Sequence, residues 1–108
     1  MLQTSAYSWI ITGDRVNSID DGTRVGTIGP AGSSCESPED FAFAPEGWTI
    51  RRFRMFDADG ILYYEGRLLI TDEEDNGELL FRPMDDFGEP DAGCVTIKYE
   101  EDGRWVTL

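Results

Sequence analysis

The chain has 108 residues, with 22 Asp and Glu against nine Lys and Arg, no histidine, and a formal net charge of −13. Such a chain repels nucleic acid and anionic membrane and attracts cationic surfaces. The missing histidine removes the commonest acid–base group and metal ligand, while three Trp, six Phe and four Tyr supply too much buriable area for a disordered chain.

A single domain spanning 1–108 is expected at this length. No apolar run approaches a membrane span. The first residues, MLQTSAYSWIITGD, have neither a basic start nor a long apolar stretch, so no signal peptide is expected. The two cysteines, Cys35 and Cys94, are then expected as free thiols in a reducing cytoplasm.

Tyr7–Thr12, rich in aromatic and β-branched residues, predicts a first strand. Arg24–Ile28 is a short strand candidate, and GPAGSS at 29–34 reads as a loop. Ser37-Pro38-Glu39-Asp40 predicts a helix start of a turn or two, with Ser37 as cap. Trp48–Phe56 and Ile61–Thr71 flank an Asp-Gly turn and predict a hairpin. In its second arm Leu62, Tyr64, Leu68 and Ile70 share one face. In the first arm the apolar parity changes around Arg51-Arg52, which predicts a bulge. Gly66 is expected to serve that bend or to receive an aromatic ring. ELLFR at 78–82 reads as a strand ending at Pro83, and 84–93 as a turn-rich connection. Cys94–Tyr99, with Val95, Ile97 and Tyr99 on one face, pairs in prediction with Arg104–Leu108. The fold class is therefore mainly β: a small antiparallel barrel or two-layer β arrangement of five to seven strands with one short helix.

Familiar chemistry is missing. Asp72, Glu74, Asn76 and Gly77 match the start of a calcium loop, but the position that needs a bidentate Glu is Pro83. Asp86-Phe87-Gly88 matches a kinase triplet without the rest of a kinase. No phosphate-cradling glycine motif is present, and no nucleophile has a histidine base. No catalytic residue, metal ligand or cofactor is expected, and the chain is read as non-enzymatic.

Charge is the remaining signal. Residues 1–71 carry a net −4, whereas residues 72–102 carry −10. The expected interaction surface is an acidic ridge of Asp72, Glu73, Glu74, Asp75, Glu78, Asp85, Asp86, Glu89, Asp91, Glu100, Glu101 and Asp102. Its bland counterpart is a set of charged turns that keep a small β protein soluble. Arg51, Arg52 and Arg54 form a secondary basic cluster, read first as a balance for neighbouring acids. Arg52 and Arg54 share a parity and so one face.

DDFGEPDAGCVTIKYEEDGRW at 85–105 and FRMFDADGILYYEGR at 53–67 are similar to a family of small uncharacterised bacterial proteins. That likeness implies no activity and no site residue. In size and charge alone the chain resembles small acidic inhibitors from phages and mobile elements, of the anti-restriction and anti-CRISPR type, although no motif matches them.

The function expected from these residues is protein binding through the acidic ridge. The partner is a basic protein, in the sharper form a nucleic-acid-binding one inhibited by charge mimicry, with no direct nucleic-acid contact and no membrane. Two alternatives are a small-ligand or cation-binding β module using the mouth of a barrel, and an accessory subunit pairing through a hairpin edge.

Overall fold

Residues 7–16, 24–29, 38–72 and 78–108 are described by the structure, a computed structural model. The β-rich runs form six antiparallel strands: β1 (Tyr7–Asp14), β2 (Ile28–Gly29), β3 (Trp48–Phe56), β4 (Leu62–Thr71), β5 (Thr96–Glu101) and β6 (Arg104–Thr107). They lie in one sheet in the order β2-β1-β4-β3-β5-β6. The mainly β, antiparallel class and the strand count agree with the sequence. The sheet is open rather than closed into a barrel. One of its faces is covered by a helix of 15 residues, 78–92; the other, left uncovered by that helix, carries a small apolar cluster around Phe41 and a set of paired charges.

That helix corrects two expectations, a strand over 78–82 and a turn-rich connection over 84–93. It begins as a 3-10 turn (Glu78–Phe81), widens into a π turn (Met84–Gly88) and ends as an α turn (Glu89–Ala92). Leu80, Pro83 and Gly88 are buried, and Leu79, Met84, Phe87 and Ala92 pack against the core beside them. Apolar pairs therefore recur about every four residues, the helical period. Pro83 precedes the π turn, and Pro90 stands in the first turn of the α segment, where its missing N–H costs nothing. Gly93, at φ 75°, ends the helix in the left-handed conformation.

The bulge expected at Arg51-Arg52 is absent. The β3–β4 register runs unbroken from Trp48↔Thr71 to Met55↔Tyr64, and it shifts only between Met55 and Phe56. The change in parity has another cause: β3 buries opposite faces along its length. Phe53 and Met55 join the main core under the helix, with Trp9, Ile11, Tyr64, Leu68, Ile70, Ile97 and Tyr99. Trp48 and Ile50 pack on the other face against Ile10, Leu69 and Phe41. Phe41 belongs to the 3-10 turn Pro38–Phe41, the short helix expected there.

Gly66 receives a ring, as anticipated. A Cβ on Gly66 would stand 2.5 Å from Phe53 Cζ and 2.2 Å from the Ile10 carbonyl oxygen. The β4 turn has Gly60 at φ +79°, and Asp57 Oδ1 accepts from the backbone N–H of Asp59 (2.8 Å) and Ile61 (2.9 Å). In the β5–β6 hairpin Asp102 (φ 53°) and Gly103 (φ 81°) are both left-handed, the geometry of a tight primed turn. Val95, expected to line the core with Ile97 and Tyr99, is exposed: β5 begins at Thr96, two residues later than expected, and Val95 precedes it. The Arg24–Ile28 candidate shrinks to Ile28–Gly29 beside β1. Ser37, Cys35 and most of the 29–34 loop lie outside the described residues.

Candidate interaction surfaces on the two faces

Amphipathic side chains tie the helix to the sheet. Tyr7 Oη donates to Asp86 Oδ2 at 2.7 Å, and Trp9 Nε1 donates to the same oxygen at 3.1 Å. Arg82 stands 3.9 Å from the other carboxylate oxygen. Further along, Tyr64 Oη donates to Asp91 Oδ2, and Arg24 reaches Asp91 Oδ1 at 3.1 Å. Phe87 sits between Trp9 and Tyr64, with ring centroids 5.3 and 4.9 Å away. At the start of the helix, Tyr99 Oη donates to the Leu80 carbonyl at 2.7 Å. Asp86 and Asp91 are thus clamps that face the sheet.

The other acidic residues of the expected ridge are placed differently. Glu100 pairs with Arg52 at 3.0 Å on the uncovered sheet face, and Glu101 lies 3.8 Å from Arg51 on the opposite side. Asp72 follows the end of β4, accepting from Thr49 Oγ1 at 2.6 Å, and Asp102 occupies the hairpin turn. Glu78, Asp85 and Glu89 project outward from the helix and have no ion-pair partner among the described residues. With Phe81 and Arg82, Glu78 and Asp85 line a shallow groove of about 370 Å³. Phe81 is exposed there. Glu73, Glu74 and Asp75, and with them the calcium-like loop beyond Asp72, lie outside the described residues. Among the described residues no three Asp, Glu or Cys side chains converge as a metal site needs.

The basic cluster divides by parity. Arg52 and Arg54 lie on the uncovered face, while Arg51 pairs in register with Leu68 on the helix side. Trp105 joins the first two: the Arg54 guanidinium lies 4.1 Å from its ring centroid and that of Arg52 5.6 Å, cation–π distances. Glu65 accepts from both Arg54 (3.2 Å) and Arg15 (3.1 Å). Arg67 was not singled out in the sequence. The register that sets Arg67 beside Arg52 needs strand pairing, although the alternation of β4 already placed Arg67 opposite to Leu68 in facing.

No family model, no curated protein and no solved structure matches this chain. The resemblance carried by 53–67 and 85–105 accordingly assigns no residue a role.

Burial also tunes the titrating groups. Burial, then the Asp86 hydrogen bond, pushes the Tyr7 hydroxyl up to about 12. Tyr64 is raised by burial and by Asp91. Burial, helped by Asp57 and Asp91, pushes the Cys94 thiol up to about 11. All three groups hold their protons more tightly in the folded state. Their stabilisation is complete below the ordinary values of 9.0 for Cys and 10.0 for Tyr. It is lost as pH rises through the folded values, because the unfolded chain gives up its protons first. Thermal melting across alkaline pH is therefore expected to show a flat midpoint to about pH 9 and a steep fall above it. Tyr7→Phe should make that fall shallower, and a midpoint flat throughout would contradict the assignment.

Proposed function

We propose that the chain is a non-enzymatic protein-binding domain that engages a basic partner through the outer face of the 78–92 helix. One observation carries this reading: Glu78 and Asp85 line the groove at Phe81 and Glu89 stands exposed further along the helix, while Asp86 and Asp91 hold the same helix to the sheet. The carboxylates are presented on a fixed support, so little order is lost on binding. An exposed phenylalanine among them offers an apolar anchor with an anionic rim, a common division of labour in interfaces. In the sharper form the partner binds nucleic acid, and the carboxylates occupy the groove where its Arg and Lys receive phosphates. Pairing through a hairpin edge has one favourable feature, the outermost position of β6.

The test uses the immobilised chain and an extract of its source cells. The native chain is expected to retain a basic protein that is released by salt and by duplex DNA. Reversing Glu78→Lys, Asp85→Lys and Glu89→Lys together should weaken retention about tenfold or more, mainly through the association rate. Equal retention by the native and reversed chains would overturn the reading, and retention insensitive to DNA would remove its sharper form.

A further inference from the structure

The uncovered sheet face breaks a pairing rule. Arg52 stands directly opposite Arg67 on β4, and Arg54 stands opposite Lys98 on β5. Like charges in these positions destabilise a sheet, yet the chain has 22 carboxylates available. Among the described residues, the strands bring Arg52, Arg54, Arg67 and Lys98 to this face with Arg15 beside them, and the carboxylates paired with them there are Glu65 and Glu100. A cationic field thus sits on a molecule of net charge −13. Departures from local rules of this kind concentrate at functional sites.

The geometry leaves a place for an anion. The Arg52 side chain turns toward Glu100, at 3.0 Å, and Arg67 turns toward the Phe41 carbonyl, at 3.2 Å. Between them lies a hollow of about 250 Å³, walled by Trp105, Thr12 and Glu65. Trp105 is steadied by the two arginine side chains stacked beside it.

We propose that this face docks an acidic segment of a partner polypeptide, with one carboxylate between Arg52 and Arg67 and an apolar side chain against Trp105. Planar guanidinium pairs suit carboxylates. The hollow is below the roughly 300–1,000 Å³ of small-molecule sites and is open on a flat sheet, so it fits one side chain of a longer ligand. Nucleic acid and anionic membrane carry dense charge that the whole molecule repels. A polypeptide can offer a few carboxylates beside apolar residues at a smaller penalty. This surface lies on the opposite side of the sheet from the 78–92 helix and does not depend on the reading given to that helix.

The experiment titrates the full chain with a fluorescent peptide of alternating Glu and Phe residues, read by anisotropy, with arginine side-chain NMR signals followed in parallel. Saturable binding is expected, with the Arg52 and Arg67 signals shifting. The double variant Arg52→Gln/Arg67→Gln, checked for folding by circular dichroism, should bind about tenfold more weakly, as loss of charged hydrogen bonds predicts. The helix variant Glu78→Lys/Asp85→Lys/Glu89→Lys should keep the peptide affinity, which separates this proposal from the preceding one. Three results would each overturn it: no saturation, undiminished binding in the arginine double variant, or inorganic phosphate and glutarate shifting the same signals as strongly as the peptide.

Discussion

Gly66→Ala is expected to destabilise the fold by about 3 kcal/mol, beyond ordinary overpacking. At about 4 °C per kcal/mol for a domain of this size, the melting temperature falls by about 12 °C. The reason is the site of the added methyl, 2.2 Å from the Ile10 carbonyl oxygen and 2.5 Å from Phe53 Cζ. A ring can tilt, but a backbone carbonyl in the neighbouring central strand cannot move without breaking its ladder. Gly66 pairs with Ile11 on one side and Phe53 on the other, so relief on either side disturbs three strands. Scanning calorimetry checks the shift. A change of only one or two degrees would mean that β1 and β4 slide freely here, against the register described.

Asp86→Ala comes second, at about 3 kcal/mol. Two partly buried donors, Tyr7 Oη and Trp9 Nε1, lose their shared acceptor, and an abandoned buried donor costs about 1–3 kcal/mol. Asp85→Ala, one residue earlier and facing solvent, should change stability by less than about 0.5 kcal/mol. The contrast between neighbours is the informative measurement, because a general effect of acidic charge would move both alike. Chemical denaturation gives the two values. Hydrogen exchange should also show faster opening of 78–92 in the Asp86 variant alone, since that segment is held by its clamps.

The β3–β4 and β5–β6 hairpins were legible in the sequence because turn chemistry and alternation agreed there, at Asp57–Gly60 and at Asp102-Gly103. The 78–92 helix was not. Pro83, Gly88, Pro90 and Gly93 spoke for turns, and ELLF has strand-like bulk. The opposing signal was the recurrence of apolar pairs at 79–80, 83–84 and 87–88, which is plain once the segment is read with a period near four. The parity change in β3 was visible but misassigned. A bulge and a strand that buries each face in turn leave the same trace, and only pairing with β4 separates them. Among candidate site residues, charge pointed to the acidic third of the chain but not to its orientation. Asp85 and Asp86 are adjacent and chemically alike, and the sheet alone makes one a surface group and the other a clamp. Arg67 stood isolated in the sequence and joined Arg52 only through strand register.

The cationic side of the sheet and the acidic side of the helix lie back to back across a single layer of strands. Such a molecule has a permanent electric moment as well as a net charge. In the field of a charged body it turns while still a Debye length or so away, bringing one chosen side forward before any surfaces touch. Two bodies of opposite sign would meet it from opposite directions, without competing for the same ground.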